Sequence, residues 1–268
     1  ESIDSQGKLN EELRQKIEAT LSVTELEDLY LPYKQKRKTR ASMAREKGLE
    51  PLAGSLMKQD HNHVNSLAER FLSTEVPTVE DALAGARDIM AEWINERTFA
   101  RHKLRQLFSR EAVISAKLVK GKEVEAAKYR DYFSFSEALK RIPSHRLLAI
   151  RRGENEGFLK VSIAPSEEKA LSEINRIFCK TQNQAGQQVA EAVNDSYKRL
   201  LKPALENEFK ALSKAKADES AIAIFAENLR QLLLTPPIGA KRTLAIDPGF
   251  KSGCKVVCLD KHGQLLYN

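Results

Sequence analysis

LEDLYLPYKQKRKTRASMAREKGLEPL, residues 26–52, joins a helix stop, a dense run of positive charge and a helix restart. Glu25, Glu27 and Asp28 belong to a short helix that Pro32 ends, because proline has no N–H and its ring meets the preceding turn. Lys34, Lys36, Arg37, Lys38 and Arg40 follow. The Thr39 hydroxyl is placed to cap a new helix. That helix, residues 40–47, ends at Gly48, which takes the left-handed conformation freely, with Leu49 closing a Schellman motif. Pro51 suits the first turn of another helix. Three helices within so short a span predict a mainly α fold.

The basic run has two readings. Lys and Arg supply the sequence-independent part of nucleic-acid affinity, so the run can be a phosphate-contacting surface. It can equally be a solvated loop paired with Glu25, Glu27, Asp28 and Glu46, each exposed pair contributing roughly 0–1 kcal/mol. The net charge of +7 over 268 residues favours anionic partners mildly. Length allows one large domain or two ordinary ones. No apolar run approaches a membrane span. The acidic start Glu1-Ser2-Ile3-Asp4 does not read as a signal peptide, and the missing first Met fits a fragment or a processed product. Cys179, Cys254 and Cys258 form no Cys-x-x-Cys pair and read as reduced packing residues of a cytoplasmic protein. His61 and His63 read as loop or helix-start residues. His145 likewise reads as structural. No metal or cofactor is expected.

Along the chain, Leu9, Leu13, Ile17 and Leu21 define a helix, and Ser22 with Glu25 suits a capping box for the next. A long helix is expected from Thr78 to about Val119, with Ile89, Trp93, Ala100, Leu104 and Leu107 inward. Arg97, Arg101 and Arg105 step along its margin. They read as long side chains covering apolar surface with their guanidiniums in water, or as a phosphate-following stripe. Tyr129, Tyr132, Phe133 and Phe135 read as a linker anchored in the core, the other reading being base stacking. Ser136 is expected to cap a short helix ending near Ile142. Leu147–Ile150 and Phe158–Ile163, separated by Gly153-Glu154-Asn155-Glu156-Gly157, predict a β-hairpin near 146–164. Arg151 and Arg152 would give that hairpin a basic edge. Ser166 opens a helix, and a very long one starts near Ala185, kinked or broken at Pro203. A further helix covers residues 222–234, and Thr235-Pro236-Pro237 ends it.

Residues 243–247, 254–259 and 264–267 read as three strands joined by turns. A strand ending in an acid, here Asp247, followed by a Gly-rich turn into a second strand, is how RNase H-like nucleases and actin-like ATPases begin. Asp247 is therefore the anchor of a competing reading as a metal-dependent nuclease. A lone carboxylate holds Mg²⁺ poorly, because the ion keeps its waters unless several ligands replace them.

Three blocks carry a resemblance: LEDLYLPYKQKRKTRASMAREKGLEPLA, VKGKEVEAAKYRDYFSFSEALKRIPSHRLLAIRRGENEGFLKVSI and LAIDPGFKSGCKVVCLDKHGQLL. In this order they resemble the Tex family of bacterial transcription accessory proteins along essentially the whole chain. The resemblance implies a nucleic-acid-binding, RNA-directed transcription factor whose members extend further at both ends, with the rest of an RNase H-like domain, a helix-hairpin-helix region and an OB-fold downstream. The expectation is a helical scaffold over 1–235 with one β-hairpin, a linker over 236–241, and the first strands of an RNase H-like α/β domain over 242–268. It would not be an enzyme, and its partners would be nucleic acid and the transcription machinery, not a membrane. A helical protein-docking scaffold is the blander alternative. The candidate nucleic-acid contacts are Lys34, Lys36, Arg37, Lys38, Arg40, Arg151 and Arg152.

Overall fold

Caps and apolar spacing set the helices, and a computed structural model shows how they pack; it describes residues 2–34, 38–60, 62–249 and 253–268. The chain divides into two units, Glu1–Asp218 and Glu219–Asn268. Helix dominates, with two small antiparallel sheets of three strands each. Helices α1 (Glu11–Ala19), α2 (Val23–Tyr30), α3 (Arg40–Glu46) and α4 (Glu50–Lys58) come first. Their N-caps are the expected kind: the Asn10, Ser22 and Thr39 side chains accept from the backbone N–H of Leu13, Glu25 and Ser42. α3 ends in a full Schellman closure, with Gly48 N–H to the Arg45 carbonyl (2.9 Å) and Leu49 N–H to the Ala44 carbonyl (3.1 Å). Gly48 sits at φ +76°. Leu49 is then driven into the core against Gly85, where a Cβ would collide with its Cδ1.

A short helix α5 (Val64–Ala68) leads to α6 (Val79–Glu96), the centre of the first unit. Ala82, Leu83, Ala86, Ile89, Met90 and Ile94 are buried along α6. It packs on α3, on α4 and on α10 (Gln184–Asp195). The expected single helix through Val119 is divided. Arg97, in an extended conformation (ψ 107°), separates α6 from α7 (Thr98–Glu111), and residues 113–118 are strand. Neither Pro nor Gly marks the break, so apolar spacing alone ran through it.

The predicted hairpin is also corrected. Leu147–Ile150 lies inside α8 (Ser144–Asn155). Only Leu147, Ile150 and Gly153 of α8 are buried, a spacing of three that belongs to a helix. The Gly-Glu-Asn-Glu-Gly segment is a helix end, not a hairpin loop. Gly157 at φ +74° donates to the Glu154 carbonyl and Phe158 to the Gly153 carbonyl, a second Schellman closure. The strand that follows, β3 (Leu159–Ala164), pairs antiparallel with β1 (Val113–Leu118). β1 also pairs with β2 (Ser134–Ala138), so the order is β2-β1-β3. Ser136 is therefore in a strand, facing Ser115, and caps no helix. Ile114 and Ala116 of β1 and Val161 and Ile163 of β3 point into the core. Tyr129 is buried against Phe158 (6.1 Å between rings), and Tyr132 meets Phe135 edge-on (5.6 Å). These aromatics anchor the connection between β1 and β2.

Helix α9 (Glu167–Phe178) follows Ser166 as expected. From α10 the chain stays helical through α11 (Lys202–Leu233), so the separate helix expected at 222–234 is the end of α11. Pro203 does not break the run. Ser196–Leu201 is wound as a π-helix, with the Lys202 N–H bonded to the Tyr197 carbonyl. Widening the turn just before proline opens the ladder where proline cannot donate. The Ser196 hydroxyl donates to the Ala91 carbonyl (2.7 Å), tying this turn to α6. In the second unit, β4 (Thr243–Gly249), β5 (Gly253–Leu259) and β6 (Leu265–Tyr267) form an antiparallel meander close to the expected boundaries. Among the described residues no helix is long and apolar enough to cross a membrane.

Tyr197 is fully buried in the π turn and its hydroxyl has no partner among the described residues. Burial, then the nearby charges of Glu167 and Glu206, push its phenol up to about 12. The unfolded chain ionises a tyrosine near pH ~10. Between those values the unfolded chain binds fewer protons than the folded one, so stability falls as pH rises through that window and is untouched below it. Urea midpoints at neutral, moderately alkaline and strongly alkaline pH should show that fall in the wild type. Tyr197→Phe should remove this part of it; an identical alkaline profile in the variant would contradict the assignment.

Candidate nucleic-acid interface

The connection from α2 to α3 is built by what flanks it. Leu31–Tyr33 forms a 3-10 turn at Pro32, and Lys34 leaves it in an extended conformation, exposed. Lys36 and Arg37 lie outside the described residues. Lys38 is exposed, with Glu46 Oε2 at 3.7 Å, a pair that water screens heavily. Arg40 opens α3 and is exposed. The exit of the loop is held firmly: the Thr39 hydroxyl donates to Glu92 Oε2 (3.3 Å) and Arg45 Nη1 to Glu92 Oε1 (2.7 Å). Burial opposes the Arg45 charge, but the Glu92 hydrogen bond and the Glu92 and Glu50 charges outweigh it and raise its pKa. Arg45 is thus an anchor, while Lys34, Lys38 and Arg40 face water beside it.

Arg151 and Arg152 sit elsewhere. They lie on α8, which packs on β3 and on the 3-10 segment Ala127–Tyr132, whereas α3 packs on α6. Arg151 pairs with Glu154, which Lys210 Nζ also reaches at 2.9 Å, and burial lowers the Arg151 pKa. Arg152 is exposed. Arg151 is therefore tied into an internal ion network and Arg152 stands at its edge.

Of the three margin arginines, Arg97 is exposed between α6 and α7, while Arg101 and Arg105 are neither a phosphate stripe nor solvated covers. Arg101 Nε donates to Asp28 Oδ1 (2.6 Å), and Arg105 donates to both Asp28 oxygens (2.5 and 2.9 Å) and to Glu208 Oε1 (2.7 Å). Burial opposes the Arg105 charge, but the Asp28 and Glu208 hydrogen bonds raise its pKa. Asp28 lies far from Arg101 and Arg105 in sequence, and no local pattern could have paired them. Gln59 was missed in the same way. It is buried, at φ +62°, and clamps the chain beyond α9: its Nε2 donates to the Phe178 carbonyl (2.6 Å), and its Oε1 accepts from the N–H of Lys180 (2.7 Å) and Thr181 (3.2 Å).

The Cys179 thiol is pushed up by burial, and all three cysteines are free. Among the described residues no three His, Cys, Asp or Glu side chains gather as metal ligands. Asp247 lies opposite Lys255 in the meander, exposed. Residues 250–252, in the turn between β4 and β5, lie outside the described residues. Asp260 Oδ1 is occupied by its own turn, accepting from His262 N–H (2.7 Å) and Gln264 N–H (2.9 Å).

Residues 59–225, the greater part of this fold, match the family model described as Tex central region-like. The chain belongs to the Tex central region family. It is 38% identical over 271 residues to the transcriptional accessory protein Tex of Neisseria gonorrhoeae, covering 99% of this chain and 36% of that protein. It is 41% identical over 270 residues to YdcI of Bacillus subtilis, covering 98% of this chain and 37% of YdcI. Human S1 RNA-binding domain-containing protein 1 is 30% identical over 291 residues, spanning all of this chain and 28% of the human protein. The chain thus spans little more than a third of the bacterial Tex relatives it matches.

Proposed function

We propose that this chain is the helical scaffold of a nucleic-acid-binding, RNA-directed transcription accessory factor acting in the cytoplasm. The observation that carries the proposal is the 38% identity to the transcriptional accessory protein Tex over nearly the whole chain. The name of the S1 RNA-binding domain relative supports an RNA ligand. The exposed Lys34, Lys38 and Arg40, on a loop whose exit is anchored through Glu92, support phosphate contact by this part of the protein. The β4-β5-β6 meander supports an RNase H-like beginning for the second unit. Binding should be weak and independent of sequence. A variant with Lys36, Arg37 and Lys38 changed to Glu should bind a single-stranded oligonucleotide more weakly. Its log affinity against log salt should be less steep by about 2, at roughly 0.7 per lost phosphate contact. Equal affinity and equal slope would return the basic run to a solvated loop.

A protein-docking scaffold is the second reading, favoured by Ile222 and Phe225 on α11, each 67% exposed. As to catalysis, we infer that the chain carries out none. Two-metal phosphoryl chemistry needs several oxygen ligands around ions about 3.5–4 Å apart. Asp247 faces Lys255, and Asp260 is engaged in its own turn. RNA and DNA incubated with Mg²⁺ or Mn²⁺ should remain intact with wild type and with Asp247→Asn alike. Cleavage that disappears in Asp247→Asn would establish the nuclease reading instead.

A further inference from the structure

Two adjoining cavities of about 490 Å³ each open where α4 ends, where α6 meets α7 and where α9 ends. Both are lined by Met57, Arg97 and Phe178. Trp93 lies in the first, and Lys58, Phe99 and Lys180 in the second. Each volume lies within the range of small-ligand pockets. None of the three cations, Lys58, Arg97 and Lys180, has an ion-pair partner among the described residues. Glu96, the one acid among the described lining residues, is itself engaged in an interaction. Phe99 is 57% exposed, with Lys103 Nζ 5.5 Å from its ring centroid.

The groove is held in shape from beneath. Gln59, next to Lys58, binds the Phe178 carbonyl and the Lys180 N–H. Asn183 Nδ2 donates to the Gln59 carbonyl (2.7 Å). At Gly186 a Cβ would strike the Thr181 carbonyl, so only glycine lets this segment lie so close to α10. Lys58 and Lys180, distant in sequence, are thereby fixed on one wall.

We infer that this groove binds single-stranded nucleic acid, with bases on Trp93 and Phe99 and phosphates on Lys58, Arg97 and Lys180. The inference rests on the nucleic-acid reading above and gives it a second site, which adjoins the start of the α2–α3 connection at Pro32. Unpaired cations beside aromatic faces are how proteins hold unstacked strands without reading sequence. An acidic peptide would satisfy the cations but has no repeating planar group to match the two rings. A duplex keeps its bases stacked inside and cannot offer them.

Trp93 is the single tryptophan of the chain, so its fluorescence reports the first cavity of this groove. With the full chain, a twelve-residue oligouridylate should quench Trp93 while fluorescence anisotropy of the labelled oligonucleotide reports binding. A duplex of equal length should leave Trp93 unchanged. Phe99→Ala should weaken oligonucleotide binding about fivefold or more. Lys58→Glu with Lys180→Glu should flatten the log–log salt slope by roughly 1.4. All three side chains are exposed, and thermal unfolding of each variant verifies that the fold is retained. Binding without Trp93 quenching, and unchanged in these variants, would overturn the groove while leaving the nucleic-acid function standing. No binding of any oligonucleotide would overturn both. Quenching by an acidic Glu/Phe peptide and not by oligouridylate would make the groove a protein-docking site.

Discussion

Asp28→Ala should destabilise the protein by about 3–5 kcal/mol, the usual cost of removing one partner from a buried ion pair. The carboxylate is only 7% exposed, and the Arg101 and Arg105 side chains are 10% and 16% exposed. Asp28 accepts three hydrogen bonds from these two arginines. Without it, Glu208 still serves Arg105 and Asn95 still serves Arg101, but the pair of guanidiniums keeps one carboxylate where it had two. The cost is mainly that of leaving positive charge out of water without compensation. Because Asp28 is on α2 and both arginines are on α7, the loss also frees the helix that leads into the basic stretch. Urea denaturation would measure it. A change below about 1 kcal/mol would show the cluster to be as dispensable as an exposed pair.

Gln59→Ala should cost about 2–4 kcal/mol. The amide satisfies the Phe178 carbonyl and the N–H groups of Lys180 and Thr181, and a buried polar group left without a partner costs about 1–3 kcal/mol. Glutamine already bears the strain of the left-handed backbone here, which alanine keeps and glycine relieves. Gln59→Gly should therefore lose less than Gln59→Ala. Equal losses would place the whole effect in the hydrogen bonds. A loss below about 0.5 kcal/mol in both would mean water replaces the clamp, as at an ordinary surface position.

What could be read directly in the chain was chemistry that acts over a few residues. Thr39, Gly48, Leu49 and Pro51 each act on their own turn, so the helix start and stop around the basic stretch followed from residue type. The same chemistry at Gly157 was obscured because Leu147-Leu148-Ala149-Ile150 offers an apolar run of strand length, and such a run has no period of its own. Arg97 interrupts a helix without Pro or Gly, and the apolar stripe continues on both sides of it. Pro203 cannot donate, which predicts a kink or break, but the neighbouring turn absorbs the defect by widening and the helix continues. The candidate site was legible only where charge clusters in sequence. The groove at Trp93, the Gln59 clamp and the Asp28 cluster are made by residues far apart in the chain, brought together by packing.

The most direct test of nucleic-acid binding is the affinity of the full chain for a single-stranded oligonucleotide between about 50 and 200 mM salt, the range over which phosphate contacts weaken strongly. Weak binding, independent of sequence, with a log–log slope of about −2 or steeper is the predicted result, corresponding to three or more phosphate contacts at roughly 0.7 each. No detectable binding at the lowest salt, or binding that does not change with salt, would contradict it.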